Sequence, residues 1–250
     1  MRKIVTTSWD DGNKLDLKLL NLLNKYNLKG TFYIPKNLEL KSLTGQEIKL
    51  IAETQEIGAH TLNHPNLTSL VSDEEIKREI KGSKDFLEQF LGREIKMFAY
   101  PGGKFDFRTK QAVKEAGFIA ARTTREFEFG ISQDKFEFAT TIHVYPFPFR
   151  KRDKDHYYFS RFLFQPLQNS FFQILKLKLP KRSFFSWHNL SQALFDCFLK
   201  EGGVYHLWGH SWEIEKYDMW DDLETVFKYM ANRSECQYLT NGQSLEQTNL

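Results

Sequence analysis

Three polar clusters combine residue types that bind metals and move protons, and each directly follows a strand-like segment. The clusters are Asp10-Asp11-Gly12, His60-Thr61-Leu62-Asn63-His64 and His210-Ser211-Trp212-Glu213. The spacing of four between His60 and His64 places both imidazoles on one side wherever the backbone turns helically. Two neutral imidazoles and one carboxylate are a common ligand set for a catalytic divalent metal with open coordination positions. We therefore favour a metal site at this pair over two histidines that merely form hydrogen bonds in a loop.

The tandem carboxylates of Asp10 and Asp11 have two explanations. Asp-Asp-Gly is suitable turn and N-cap chemistry ahead of a helix that begins near Leu15. Two adjacent carboxylates that leave a buried strand also repel each other, and a cation beside them relieves that repulsion. Because adjacent side chains point in different directions, one carboxylate can bind a metal while the other accepts a proton. The histidine pair favours this second explanation.

The third cluster begins with His210, which follows the end of its strand, whereas His206 lies inside the same strand. A histidine at a strand end that only bonds a carbonyl is the alternative to a functional role. We favour His210 as the functional residue, and one of the two rings can be structural. Either Glu213 or Asp218 could orient a ring, and the sequence does not choose between them.

The elements that must position these clusters alternate between strand-like and helix-like patterns. The predicted strands are Ile4–Ser8, Thr31–Ile34, Ile57–His60, Met97–Tyr100, Phe118–Ala121, Val204–Trp208 and Gln237–Thr240. Capping boxes predict helices that begin at Thr44 and Ser72, the first running to about Glu56, and Asp106 caps a third. This alternation predicts parallel strands with crossover helices, in a barrel or an open sheet, with the chemistry at the C-terminal strand ends. From about Ser244 we expect a frayed tail.

Length and composition limit the classes of protein that remain. The 250 residues suit one large α/β domain or two small ones, and 41% hydrophobic and 27% charged residues exclude a disordered chain, a collagen-like fibre and a coiled coil. The apolar runs are too short to cross a bilayer, and residues 1–8 do not read as a signal segment, so we expect a cytoplasmic protein. Cys197 and Cys236 are too few for a disulfide scaffold or a cysteine-rich zinc site, and we expect free thiols.

The net charge of +3 hides a basic, aromatic insert at about 145–186. This segment has nine Lys and Arg against two Asp, a charge of +7, which leaves −4 for the remainder; it also has nine of the 23 Phe. One explanation is an arm that recognises an anionic glycan or a membrane surface, and single-stranded nucleic acid is a further candidate. The alternative is a segment that packs its phenylalanines on the barrel or pairs with another subunit. We favour packing for the phenylalanines, leave the role of the charge open, and expect no nucleic acid.

The ordered motifs resemble the polysaccharide deacetylase family, which is carbohydrate esterase family 4 or the NodB-homology domain. The motifs are Thr7-Ser8-Trp9-Asp10-Asp11-Gly12, Glu56-Ile57-Gly58-Ala59-His60-Thr61 with His64, Tyr100-Pro101-Gly102-Gly103 and Leu207-Trp208-Gly209-His210. The resemblance is dense from residue 4 to about 123 and returns at 203–213. It implies an α/β fold, a distorted (β/α) barrel of about seven parallel strands with the active site at their C-terminal ends. We treat residues 1–250 as one such catalytic domain.

The resemblance also implies a role for individual residues. The metal ligands would be Asp11, His60 and His64, the general base Asp10, and the general acid His210. The metal would be one divalent ion, zinc in the first place, with Co, Ni or Mn as alternatives. Contacts with the substrate or its oxyanion would come from Trp9, Tyr100, Pro101, Gly102 and Trp212. The reaction would be hydrolysis of an N-acetyl group on an amino sugar, with release of acetate.

This chemistry follows from the weakness of water as a nucleophile and of an amide as an electrophile. A metal lowers the pKa of its bound water and polarises the acetyl oxygen, and a nearby backbone N–H shares the oxyanion charge. The resemblance implies that this donor would be the Gly102 N–H. Asp10 removes a proton from the attacking water. The amine leaving group needs a proton, which an imidazolium at His210 can donate.

Departures from the family pattern mark a divergent member. The arginine that the family places before its proline is Ala99 here, and the aromatic residue after the proline is Gly102. The later Asp and Trp motif is not evident after the fifth predicted strand, where Arg122 stands instead. We hypothesise that Arg122 replaces the missing guanidinium beside Asp10; a surface arginine is the alternative. These changes indicate a different substrate or weakened activity.

Three functions remain open from the sequence. The first is N-deacetylation of a lipid-linked or nucleotide-linked sugar or of a polysaccharide. The second keeps the metal site but acts on a cyclic amide or another small C–N bond. The third is a non-catalytic glycan-binding domain, which loss of Asp10 or of a metal ligand would have favoured; all four residues are present.

Overall fold

The computed structural model describes residues 2–37, 42–130, 133–148 and 175–248. Its strands are β1 (Lys3–Asp10), β2 (Gly30–Ile34), β3 (Glu56–Ala59), β4 (Met97–Ala99), β5 (Ala120–Arg122), β6 (Ile142–His143), β7 (Gly203–Gly209) and β8 (Gln237–Tyr238). All pairings between these strands are parallel, and seven strands form one continuous sheet in the order β5-β4-β3-β2-β1-β7-β6. The eighth, β8, pairs with the first half of β1. The predicted distorted (β/α) barrel of about seven parallel strands is therefore confirmed.

One segment, residues 138–144, connects the β5 edge of the curled sheet to β7 near its other end. Phe138 N donates to Ala121 O on the β5 side, and Val144 N donates to Trp208 O on the β7 side. This segment contains β6, the edge strand that pairs with β7. The sequence prediction did not include β6.

Most of the helices lie between strands, as predicted, and the last helix follows β8. They are α1 (Asp16–Lys25), α2 (Gly45–Ala52), α3 (Asp73–Leu91), α4 (Phe107–Glu115), α5 (Trp187–Glu201), α6 (Ser211–Lys216), α7 (Trp220–Met230) and α8 (Asn241–Thr248). The capping boxes at Thr44 and Asp106 are both present. Ser72 accepts from the N–H of Glu75 and its hydroxyl donates to Glu74, so Ser72 caps the helix without the reciprocal bond of a full capping box.

Strand alternation divides the apolar residues into two layers. The larger layer lies between sheet and helices and includes Trp9, Phe32 and Phe98. The smaller layer fills the barrel interior and contains Tyr33, Met97 and other side chains. Along β1, the even-numbered residues therefore face the interior and the odd-numbered ones face the helices.

The C-terminal residues form a helix that packs on the barrel, so the predicted frayed tail is wrong. Leu245 of α8 belongs to the interior apolar layer, and Ser244 is buried. The Asn241 side chain accepts from Thr6 Oγ1 at 2.8 Å and donates to Tyr33 Oη at 2.9 Å. These contacts order a sequence that has no apolar stripe of its own.

Most of the basic insert, residues 149–174, lies outside the described residues. In the part that is described, Leu177 and Leu179 pack against the core, whereas Leu175 and Phe185 are exposed. Helices long and apolar enough to span a bilayer are absent from the described ranges. Both cysteines are free thiols, as expected.

Candidate active site

The chemically distinctive side chains meet at the C-terminal ends of four strands. They are Asp10 at the end of β1 and Asp11 after it, His60 and His64 after β3, Arg122 from β5 and His210 after β7. Side-chain exposure falls from the rim of this site to its floor. It is 42% for His64, 28% for Asp11, 17% for His210, 1% for His60 and 0% for Arg122.

Asp11, His60 and His64 form a compact cluster of metal-ligating groups. One ligand atom from each lies within 4.8 Å of the others. The two Nε2 atoms are 3.1 Å apart, and Asp11 Oδ1 lies 3.4 Å from His64 Nε2. His60 Nδ1 donates to Ala99 O at 2.8 Å, and burial lowers the pKa of His60 to about 4. The neutral His60 ring therefore presents the lone pair of Nε2 to the cluster.

The backbone of this cluster is held in an unfavourable conformation. Asp11, Thr61 and His64 have φ values of 78°, 69° and 55°, in the left-handed region that non-glycine residues rarely adopt. Thr61 Oγ1 accepts from the His64 N–H at 3.0 Å, and the indole N–H of Trp212 donates to Asp11 Oδ2 at 3.0 Å. Backbone strain of this kind concentrates at functional sites, where neighbouring contacts maintain it.

Asp10 lies between the cluster and a buried guanidinium. Both of its oxygens accept from Nη2 of Arg122, and its Oδ2 lies 4.0 Å from Nε2 of both His60 and His210. Burial opposes ionisation, but these positive and polar neighbours, Arg122 first, hold the pKa of Asp10 below its ordinary value. Asp10 is therefore an ionised carboxylate at neutral pH.

Arg122 occupies the position beside Asp10 that we hypothesised from its place in the sequence. Its guanidinium lies between the rings of Trp208 and Tyr33, at 4.9 Å and 5.2 Å from their centroids. Within the described residues, Nε and Nη1 have no hydrogen-bond partner. Contact with the two ring faces partly offsets that loss. The alternative of a surface arginine is wrong, since the side chain is fully buried.

His210 is oriented by Glu213, one of the two carboxylates that the sequence left open. Glu213 Oε2 lies 2.5 Å from His210 Nδ1 and 3.1 Å from Nε2 of His143. Burial opposes a charge on His210, but Glu213, Asp10 and Asp11 outweigh it and raise the pKa of His210 to about 9. The ring is protonated at neutral pH, and its Nε2 lies 3.8 Å from Asp11 Oδ2.

His206 is a structural residue. Its Nδ1 lies 3.0 Å from Ala139 O and its Nε2 lies 2.8 Å from Ser8 Oγ. Burial and the nearby Arg122 lower its pKa to about 3. Both ring nitrogens are occupied inside the barrel, which distinguishes it from His210 at the strand end.

Some predicted substrate contacts are not at the site. Trp9 points toward the helices, where its indole N–H donates to Thr7 Oγ1 and its ring contacts Phe227, so its prediction as a substrate contact is wrong. The reason is strand alternation, since Asp10 faces the interior and its neighbour must face the other way. The Tyr100 side chain is likewise buried, and its hydroxyl donates to Phe136 O.

The turn after β4 contains the other predicted contacts, Pro101 and Gly102. Pro101 is buried and Gly102 is exposed with a φ of 60°. Gly103 N donates to Tyr100 O and Lys104 N donates to Pro101 O; the Gly102 amide takes part in neither bond. Of the two tryptophans predicted to contact substrate, Trp212 alone lies at the site.

The sequence analysis missed His143. This residue lies on the two-residue strand β6, and its ring stacks on Trp208 with centroids 4.0 Å apart and planes 10° from parallel. The sequence does carry a signal for this strand in the run Thr140-Thr141-Ile142-His143-Val144-Tyr145. β-branched residues occupy alternate positions of this run, as is typical of strands.

Comparison with known proteins agrees with this arrangement. A sequence profile described as polysaccharide deacetylase matches residues 1–121. A peptidoglycan-N-acetylglucosamine deacetylase from Bacillus cereus is 31% identical over 123 residues, which are 46% of this chain and 54% of that protein. The matches cover 31% to 54% of the curated relatives, so the chain spans about half of their length or less.

Two solved structures show the shared fold. A Mycobacterium smegmatis protein assigned as a polysaccharide deacetylase superposes with a TM-score of 0.69 at 14% identity, covering 100% of this chain and 91% of that one. A carbohydrate esterase family 4 pseudoenzyme from Bacillus anthracis superposes with a TM-score of 0.52 at 14% identity, covering 92% and 60%.

The fold and the cluster at its strand ends define a distorted (β/α) barrel of the carbohydrate esterase family 4 type. With the profile match over residues 1–121 and the curated relative, they show that the chain is similar to the polysaccharide deacetylase family and diverges from it.

Proposed function

We propose that this protein is a metal-dependent hydrolase that removes an N-acetyl group from an amino sugar or glycan. One observation carries the proposal: a cluster of two histidines and an aspartate lies beside an ionised carboxylate and a protonated imidazole. These are the groups that hydrolysis of an amide requires, namely a Lewis-acid site, a proton acceptor and a proton donor.

The residues of the cluster fit a divalent cation. His60 Nε2 offers a lone pair, His64 Nε2 lies beside it, and Asp11 adds a negative charge. Asp11, His60 and His64 would therefore hold the ion. When bound, such an ion activates water and polarises a carbonyl. Zinc suits two imidazoles and one carboxylate, and Co, Ni and Mn are alternatives.

The remaining residues of the site have separate tasks in this proposal. Asp10 accepts the proton of the attacking water, and Arg122 holds that carboxylate in place. His210 donates a proton to the amine as the C–N bond breaks. The exposed amide of Gly102 is the candidate donor to the developing oxyanion.

The substrate class is supported by the curated relative, which acts on N-acetylglucosamine of peptidoglycan by its name. A polysaccharide or a lipid-linked or nucleotide-linked N-acetylated sugar carries the same group. The cytoplasmic location expected from the sequence stays a prediction, and it favours a sugar intermediate. The likeness to a pseudoenzyme leaves a non-catalytic domain as the competing outcome.

The first test is metal content by elemental analysis of the wild type and of His64→Ala. We expect about one equivalent per chain in the wild type and its loss in the variant. His188→Ala is the matched control. His188 of α5 lies beside Asp222 of α7, so its loss should not affect metal content. Acetate release from N-acetylchitotetraose then tests the activity. An absence of metal after addition of zinc, cobalt or nickel would contradict the proposal and favour the binding domain.

A further inference from the structure

One carboxylate oxygen beside the site serves two imidazoles. Glu213 Oε2 contacts both His210 Nδ1 and His143 Nε2. Since an ionised carboxylate only accepts hydrogen bonds, both ring nitrogens must donate to it. His143 therefore carries a proton on Nε2, and His210 carries one on Nδ1. This arrangement leaves His210 Nε2 as the atom that faces Asp10 and Asp11.

His143 is a rigidly held donor. Its ring is stacked on Trp208, and Tyr145 stacks at a centroid distance of 5.2 Å. Its backbone N–H donates to Glu126 Oε1 at 2.9 Å, and its strand pairs with Trp208 of β7. A ring fixed by stacking and strand pairing can hold a partner to within a fraction of an ångström.

Glu213 needs such a partner. It lies on α6, a helix of six residues, and reaches His210 through a flexible side chain. A single bond to His210 would leave the carboxylate free to rotate about its own side chain. The second bond, from His143, directs Oε2 at His210 Nδ1. Burial opposes the charge, but the bonds from His143 and His210 lower the pKa of Glu213 to about 2, so it stays an acceptor.

We propose that His143 is a positioning residue for the proton donor His210 and acts through Glu213. This inference rests on the proposed function, because it concerns the step in which the C–N bond breaks and the amine takes a proton from His210 Nε2. His210 is then neutral and Glu213 remains ionised. A misdirected His210 would slow this step and leave the metal cluster intact, since His143 contacts none of the three ligands in the described structure.

The test compares two substitutions at one position. His143→Phe keeps a flat ring against Trp208 and removes the donor, whereas His143→Gln restores an N–H donor. We expect H143F to lower kcat for N-acetylchitotetraose about tenfold or more, with little change in KM, and H143Q to recover most of it. Hydrolysis of 4-nitrophenyl acetate should fall far less, because nitrophenolate leaves without a proton. His188→Phe is the matched control and should resemble the wild type on both substrates.

Several outcomes would overturn the inference. They are an H143F variant equal to the wild type on the amide, an equal loss on both substrates, and a second metal equivalent that H143F removes. If the wild type hydrolyses neither substrate, the proposed function fails and the inference is decided by ¹⁵N-edited NMR of the His210 ring. We expect a downfield Nδ1–H signal that H143F shifts or broadens and H143Q retains, and an unchanged signal in H143F would contradict the inference.

Discussion

Asp10 pairs with Arg122, which lies at a strand end in register with Ala99 of the neighbouring strand. The resemblance would place an arginine before Tyr100-Pro101, where this chain has Ala99. Arg122, at the end of the neighbouring strand β5, reaches the same carboxylate from a parallel position. The ends of adjacent parallel strands are close enough for a long side chain on either strand to reach the same carboxylate.

Removal of Arg122 should destabilise the fold through Asp10. In Arg122→Met, the buried Asp10 carboxylate loses its main compensating charge, and we expect a loss of about 3–5 kcal/mol in the free energy of unfolding. The double variant Asp10→Asn, Arg122→Met should recover most of this loss, since no charge remains. Urea denaturation of both variants measures the effect. Equal stability of the single variant and the wild type would contradict a coupled pair.

At this scale the sequence predicted well which polar residues lie together and predicted poorly which residues support them; the roles of the site residues stay predictions. Asp10, Asp11, His60, His64 and His210 were found because each is a polar residue at a strand end. His143 was missed since its strand is two residues long and lies in an irregular stretch. The choice between Glu213 and Asp218 depended on how the chain turns after β7, and spacing alone does not determine that turn.

At the scale of elements, the turn that follows β4 supports the site through its backbone shape. Gly102 and Gly103 both have positive φ, at 60° and 69°. A Cβ at Gly103 would overlap the Thr124 side chain, whereas a Cβ at Gly102 would meet no atom within 4 Å. The two glycines therefore share one backbone requirement and differ in their surroundings.

Alanine substitutions at these glycines form a matched pair. Gly102→Ala should lower the free energy of unfolding by about 1 kcal/mol, the cost of a left-handed alanine. Gly103→Ala should lower it by about 1–3 kcal/mol more, because the overlap with Thr124 is added. Chemical denaturation measures both. Equal losses in the two variants would show that Thr124 moves aside without penalty.

Asp16 links α1 to α6 and should make stability depend on pH. Its Oδ1 accepts from the Ser211 hydroxyl, and within the described residues its Oδ2 has no partner. Burial raises the pKa of Asp16 to about 8 against 3.8 in the unfolded chain. Between these values the unfolded state binds fewer protons, so Asp16 lowers stability as pH rises, by up to about 1.4 kcal/mol per pH unit.

The variant Asp16→Asn should remove this contribution. We expect its free energy of unfolding to fall less steeply than that of the wild type between pH 5 and pH 7, and to exceed it at pH 8. Urea denaturation across this pH range provides the measurement. Identical slopes for the two proteins would show that other groups set the pH dependence.

The regular elements were predicted from periodicity and caps, and the exceptions have a physical cause. The predicted strands and the helices capped at Thr44 and Asp106 have local signals of their own. The α8 helix has no such signal, because its order comes from buried contacts with distant strands. Local patterns do not report contacts between residues far apart in the sequence.

At the scale of the whole molecule, α8 joins the end of the chain to its first strands. Asn241 satisfies the hydroxyls of Thr6 and Tyr33 inside the barrel, and the Gly242 N–H donates to Glu56 at 2.9 Å. Folding of the barrel interior therefore requires the last residues as well as the first. The treatment of residues 1–250 as one domain stays a prediction.

Loss of the Asn241 side chain should lower the stability of the barrel. Asn241→Ala leaves the buried hydroxyls of Thr6 and Tyr33 without their partner, and we expect a loss of about 2–3 kcal/mol in unfolding free energy. Glu246→Gln is the control on the same helix, since its exposed pair with Lys96 contributes about 0–1 kcal/mol. Thermal and urea denaturation compare the two. A small effect at Asn241 would mean that water replaces its hydrogen bonds.

The decline in exposure from His64 to Arg122 gives the histidines an order of chemical access. An acylating reagent such as diethyl pyrocarbonate, which attacks unprotonated imidazole, meets His64 at the rim long before His60 at the floor. His206, enclosed within the barrel, is as deeply buried as His60, so both are modified long after His64. The order in which the histidines are modified, measured for each peptide by mass spectrometry, therefore reports their depth in the site. A bound ion that shields His64 would slow the modification of His64.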